Sequence, residues 1–450
     1  MVEEIKNLIE DKKYSEIKSK ITNLEEADIA EILCELDEKS LIKIFRLIPK
    51  DTAAEVFSYL PIENEQKIIN SLSDKEAATI IDNMAADDAA DLIDEMPSNV
   101  VKRLLSKTTN ETRRDINLLL KYPDDSAGSI MTVEFIDLKE NDTIKQAIKK
   151  IKAKAEDIES IDTCFVVDSQ RKLIGIVTLK DIILSEDDNK IGDIMTSYET
   201  NITTLTDQEE VAKQFQKYDV TSMPVVDSEN RLVGIITIDD IVDIIQEETT
   251  EDIEKMAAIT PTDKPYLKTS VFEIWKKRIP WLLLLMVSAT FTGGIINSFE
   301  ASLAIFPVLT AFIPMLMDTG GNSGSQASVT IIRGIAVNEI EAKNTFKIVF
   351  KEVRVALLCG ITLALANFIK IILIDNLLLK NNVSITVALV ISLTLIFTVV
   401  VAKIIGSTLP ILAKKMKLDP AVMASPFITT IVDAVSLLIY FKIATMILGI

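Results

Sequence analysis

The 450-residue sequence contains no histidine. Ser-His-Asp and Cys-His catalysis are thereby excluded, along with most transition-metal sites, and any metal must be held by oxygen, which suits magnesium, calcium or manganese. Cysteine is scarce: Cys34, Cys164 and Cys359 lie far apart with no C-x-x-C spacing, so neither a disulfide framework nor a zinc site is implied. Without histidine or a nucleophile constellation, an enzyme is not expected. Glycine is missing from residues 1 to about 120. Met1 to Glu10 lacks the apolar run and small-residue cleavage site of a secretion signal, which gives a cytosolic start.

Acidic residues are abundant and unevenly placed. Residues 262–450 hold 17 Lys and Arg against 10 Asp and Glu; the totals of 48 and 67 leave residues 1–261 with 31 and 57, a net of −26. Such a charge repels nucleic acid and favours cations or basic partners.

Residues 1–122 read as an acidic helical-repeat domain. Between Leu36 and Met96 an apolar residue followed by a breaker or helix start recurs every twelve residues, as Leu36-Asp37, Ile48-Pro49, Leu60-Pro61, Leu72-Ser73, Met84-Ala85 and Met96-Pro97. This period predicts a superhelix of short antiparallel helices. Within it, helical spacing places Asp87, Asp91 and Asp94 on one face. That face is either solvated surface or a divalent-ion site.

Residues 123–246 alternate strand and helix and form an internal duplication, about 123–190 and 191–246. Phe165-Val166-Val167-Asp168-Ser169 and Leu173-Ile174-Gly175-Ile176-Val177-Thr178 recur 59 residues later as Pro224-Val225-Val226-Asp227-Ser228 and Leu232-Val233-Gly234-Ile235-Ile236-Thr237. Each copy predicts a strand, a polar turn, a second strand and a helix capped by Thr or Asp. The pair resembles CBS domains, which pack in tandem and commonly bind adenine nucleotides. That resemblance implies that Thr178 and Asp181, or Thr237 and Asp240, face a ribose or phosphate. As residues alone they read equally as helix N-caps.

A helical segment from Asp239 to Ala257 carries Asp239, Asp240, Asp243, Glu247, Glu248, Glu251 and Asp252 ahead of Pro261. Residues 247–270 are therefore read as an acidic connecting helix, either a plain linker or a switch element.

Residues 271–450 contain five long apolar segments, about 279–298, 302–317, 350–374, 384–412 and 421–449. Each is long enough, or nearly so, for a hydrocarbon core of ~30 Å. Lys276, Lys277, Arg278, Arg333, Lys343, Lys347, Lys351, Lys414, Lys415 and Lys417 fall on alternate loops. The positive-inside rule puts those loops and the N-terminal half in the cytoplasm and the C-terminus outside. Asp433, flanked by Thr429, Thr430 and Ser436, reads as the only acid well inside any of the five. An ionisable group there costs several kcal/mol unless it faces water or a partner, so an aqueous cation pathway is expected, with Asp419 at its cytoplasmic mouth. The run from Asp318 to Gln326 is expected to break the second segment, its glycines turning carbonyls towards a lumen.

In this order, the parts resemble the MgtE family of magnesium channels along almost the whole chain. The expected fold class is multidomain: an all-α superhelical N-terminal domain, an α/β tandem CBS pair, a connecting helix and a five-helix transmembrane domain. The resemblance implies a homodimer in the lipid bilayer of the cell membrane, with a Mg2+-selective pore between protomers that the cytosolic domains close when Mg2+ is plentiful. It places the pore carboxylate on Asp433, the mouth on Asp419, and the pore lining on Gly321, Asn322, Ser425 and Thr429. Regulatory carboxylates fall on Glu55, Asp87 and Asp91, on Asp207, Glu209 and Asp219, and on Asp240, Asp243, Glu248, Glu251 and Asp252. Mg2+ and an adenine nucleotide such as ATP are the implied ligands, with no nucleic acid. Family members often read G-N-x-G-N-Q where this chain has Ser325 for the second Asn. Two rivals are a proton-coupled divalent-cation transporter, because a lone intramembrane Asp also suits a proton relay, and a membrane-anchored nucleotide-sensing CBS protein.

Overall fold

In the computed structural model, helices of the N-terminal domain begin at Glu26, Glu38, Lys50, Ile62, Asp74, Ala86, Ser98 and Asn110. The twelve-residue period thus extends beyond Leu36 and Met96 in both directions. Its cause is local. Asp37, Ser73 and Thr109 start their helices by accepting backbone N–H groups, and Pro49, Pro61 and Pro97 start theirs with a fixed φ. Helices of eight to ten residues bury one face only by stacking on their neighbours. Ile44, Phe57, Ile68, Ile81, Ile93 and Leu104 line the shared core.

The structure describes residues 1–449 apart from Glu156, Asp157, Glu159, Asn201, Asp263, Pro265, Lys268 and Ala424, and describes Lys50, Asp51, Ala342 and Ser425 by backbone only. Residues Met1–Ile245 make one compact unit and Gln246–Ile450 another.

In the first unit, strands Asp137–Lys139, Thr163–Val167, Leu173–Thr178 and Thr196–Ser197 form a sheet in that order, the first pairing parallel and the others antiparallel. Ser222–Val226 and Leu232–Thr237 form a second, antiparallel sheet. The register Thr163 to Thr178 recurs as Ser222 to Thr237, and both hairpins slip at the same place, Val166/Val167 and Val225/Val226. Even the turns are copies: Asp168 and Asp227 each accept two backbone N–H groups, and Arg171 and Asn230 take φ of 65° and 62°. The second copy shares its core with the helical domain through Val211, Phe215, Ile236 and Ile241, and Met131 from the start of the first copy joins them.

The second unit is built on helices Val271–Ser298, Ile313–Ala336, Thr345–Lys370 with wider π-type turns to Leu378, Ile385–Lys415 and Ser425–Leu448. Among the described residues, four spans, Val271–Ser298, Thr345–Leu378, Ile385–Lys415 and Pro420–Leu448, are long and apolar enough to cross a membrane. The expected second segment is corrected. Residues 302–317 divide among a short helix ending at Ile305, a 3-10 turn over Pro307–Phe312 and the start of helix Ile313–Ala336. The run from Asp318 to Gln326 does not break a helix; it lies inside one. Its glycines serve close approach: a Cβ on Gly320 would sit 2.7 Å from Thr398 and 2.8 Å from Ser436, and one on Gly324 2.9 Å from Ile428. Small residues at such crossings let helix backbones meet.

Candidate functional site

Asp433 lies on helix Ser425–Leu448, which packs on the glycine-rich helix Ile313–Ala336. Gly321 rests against Thr429, one turn before Asp433, and Gly320 against Ser436. The Oδ1 atom of Asp433 is buried and has no hydrogen-bond partner. Asp318, at the start of the glycine run, is the charged group that acts on it. Asp318 was not among the expected site residues, although a carboxylate heading a glycine run was a visible signal. Of the expected lining, Gly321 is buried, Thr429 is partly exposed and Asn322 is exposed. The Ser425 side chain lies outside the described residues.

Asp419 is held from two sides. Its Oδ1 accepts the Ala421 N–H at 2.8 Å, and its Oδ2 lies 2.8 Å from Lys255 Nζ. Lys255 also reaches Glu251 at 2.7 Å, one helical turn back. Burial opposes the charge on Lys255, but the hydrogen bonds and charges of Asp419 and Glu251 outweigh it and hold the ammonium above its ordinary range.

Asp433 is not the only acid inside the apolar helices, and basic partners for such acids do exist. Lys403, 5% exposed, lies 3.6 Å from Glu352, and Lys370 lies 2.9 Å from the buried Asp375 without hydrogen-bond alignment. These pairs join residues distant in sequence or on a continued helix, so segment-by-segment reading passed over them. Glu352 and Asp375 have basic partners, whereas Asp433 has another carboxylate.

The first unit contains a second acidic site. Helix Ala86–Asp94 does not turn Asp87, Asp91 and Asp94 to one solvated face, because Asp87 is buried while Asp91 and Asp94 are exposed. The acids that interact come from three elements. Glu65, 6% exposed, is pushed up to about 8 by burial, with the charges of Asp88 and Asp91 adding to it. Burial also raises Asp88, against a hydrogen bond from Ser58, and Asp239 raises it further. Asp240 is pushed up to about 6 by burial, with Thr237 opposing and Asp239 and Asp88 adding. Among the described residues no three carboxylates converge tightly enough for a bare metal ion. Mg2+ keeps several of its waters, so wider spacing suits its hydrated form. Glu65 was missed; its signal was an acid in phase with the core residues Ile68 and Ile69.

The remaining expected carboxylates are more scattered. Glu55 is exposed on helix Lys50–Ser58. Asp207 caps helix Gln208–Tyr218 by accepting the Glu209 N–H at 2.9 Å, and Glu209 pairs with Lys213 at 2.7 Å. Asp219 closes the other end with φ of 50°. Eleven helical residues separate the ends by roughly 16 Å, so these three do not share one site. Asp243 is exposed, and Glu248, Glu251 and Asp252 partly so, along helix Ile238–Met256. Thr178 and Asp181 form a capping box, the hydroxyl donating to Asp181 Oδ2 at 2.5 Å, and Thr237 donates to Asp240 Oδ2 at 2.8 Å. Each threonine is thus engaged with its own aspartate at equivalent places in the two copies.

Family models match in the same order along the chain. The MgtE intracellular N domain covers residues 24–125, the CBS domain covers 127–186 and 191–247, and the MgtE divalent cation transporter covers 313–443. Magnesium transporter MgtE of Thermus thermophilus is 33% identical over 347 residues, 77% of this chain and 75% of that protein. Its counterpart in Bacillus subtilis is 35% identical over 345 residues, 76% and 74% of the two chains. The crystal structure of the cytosolic domain of the Mg2+ channel MgtE in complex with ATP matches with TM-score 0.52 at 30% identity, covering 54% of this chain and 100% of that one. With relatives of this identity covering three quarters of its length, the chain belongs to the MgtE family of magnesium transporters.

Proposed function

We propose that the chain is a multi-pass membrane channel that admits Mg2+ and is gated by Mg2+ on its acidic cytosolic unit. The observation that carries this reading is Asp433, a carboxylate in a long apolar helix with an unpartnered buried oxygen and Asp318 as its electrostatic neighbour. Two carboxylates about 4 Å apart repel by roughly 4 kcal/mol at an effective dielectric of 20, and a divalent cation between them reverses the sign. Mg2+ dehydrates reluctantly, so a pore with few carboxylates that accepts the hydrated ion suits it. A homodimer with the pore between protomers, five crossings with helix Ile313–Ala336 as the second in place of residues 302–317, and a cytoplasmic N-terminal half complete the proposal. The regulatory ions are assigned to Glu65, Asp88, Asp91, Asp239 and Asp240, together with the carboxylates of the connecting helix. An adenine nucleotide is assigned to the CBS pair.

The test is Mg2+ flux in proteoliposomes. Asp433→Asn and Asp433→Ala are expected to abolish flux while assembly persists, and Asp433→Glu to be partly tolerated. Wild-type flux in a folded Asp433→Ala protein refutes the assignment. Flux that tracks an imposed proton gradient in the wild type favours the proton-coupled alternative.

A further inference from the structure

Asp419, assigned above to the cytoplasmic mouth, is already matched to a cation of the chain's own. Lys255 Nζ lies 2.8 Å from Asp419 and 2.7 Å from Glu251. Both ends of this bridge are anchored. On one side, Met256 packs on Ile332 and Ala421, and the chain folds back after it, with Thr260 N–H donating to the Lys277 carbonyl at 3.1 Å and Thr262 N–H to Glu254 at 2.9 Å. On the other, Asp419 is oriented by the Ala421 N–H at 2.8 Å. The Lys255 side chain is 24% exposed, so an ion from solution can reach the pair. Glu251 also lines a cavity of about 460 Å3 between the connecting helix and the start of helix Val271–Ser298, beside Glu247 and Glu254.

We propose that Lys255 is a tethered cation that occupies the mouth carboxylate and makes entry selective for divalent ions. The inference rests on the reading of Asp419 as the mouth. A monovalent ion that replaced the ammonium would bring the same charge and gain no Coulomb energy. It would also compete with a group held beside Asp419 at high effective concentration by its helix. A divalent ion brings twice the charge to the same carboxylate. Lys255 then retreats onto Glu251, one turn back on its own helix, so the exchange needs a side-chain movement and no displacement of the helix. Lys255 is therefore a specificity-determining residue.

The ratio of K+ to Mg2+ flux, measured on the full-length chain in proteoliposomes, tests this. Lys255→Gln keeps the length and polarity but removes the charge, and is expected to raise the ratio by about tenfold or more, the scale on which local charge alters ion entry. Lys255→Arg is expected to hold the ratio near that of the wild type. Equal ratios in wild type and Lys255→Gln, with Mg2+ flux present, overturn the proposal alone. Absence of Mg2+ flux in the wild type overturns the mouth assignment and this proposal with it. Should Lys255→Gln fail to assemble, Glu251→Gln removes the refuge of the ammonium. It is expected to raise the Mg2+ concentration for half-maximal flux, and an unchanged value overturns the exchange.

Discussion

Glu65 is a carboxylate whose burial couples the packing of the N-terminal unit to pH. It is 6% exposed, and its environment pushes it from 4.5 up to about 8. Between those values the folded chain holds a proton that the unfolded chain has lost. The stabilisation is full below pH 4.5 and is lost as pH rises through about 8. One pKa unit is worth about 1.4 kcal/mol, so ionising Glu65 weakens the local packing by roughly 4 to 5 kcal/mol at pH 8 relative to a side chain that stays neutral. We predict that Glu65→Gln, which keeps the shape and does not titrate, protects helices Ile62–Ser71 and Ala86–Asp94 from opening when divalent ions are chelated. Hydrogen exchange on the full-length protein, each pair compared at one pH, should show a gain of roughly 3 kcal/mol at pH 7, more at pH 8 and none below pH 4.5. Mg2+ should then stabilise the wild type more than the variant, because it neutralises a charge that the variant lacks. Equal protection of the two proteins at pH 8 in chelator would refute the electrostatic account of this site.

Two further outcomes follow from packing and from the tandem repeat. Gly406→Ala sets a Cβ against the backbone of Gly324 and is predicted to cost roughly 1 to 3 kcal/mol or more by overpacking, lowering the melting temperature in detergent and reducing flux. Gly293→Ala, whose Cβ would meet nothing within 4 Å, should do neither, and equal melting of the two variants would contradict the crossing argument. Calorimetry of the full-length chain should register heat with an adenine nucleotide and lose it in Asp240→Asn; no heat with ATP, ADP or AMP would remove the nucleotide from the proposal.

What the sequence determined by itself was periodic or duplicated. The twelve-residue spacing is written in local starters such as Pro49, Ser73 and Pro97, which act through their own backbone neighbours. The 59-residue duplication carried its hairpins intact because register and turn are local too. Asp433 was legible because a carboxylate in an apolar run stands out without any neighbour being known. Tertiary structure decided everything that needed a partner. It gave Glu352 and Asp375 lysines while leaving Asp433 beside Asp318, buried Asp87 while exposing Asp91, and joined Glu65 to acids from two other elements. It also turned an expected break at Gly320–Gly324 into a helix crossing. A glycine allows either outcome, and only the side chains of Thr398, Ile428 and Ser436, brought up from distant helices, select the second.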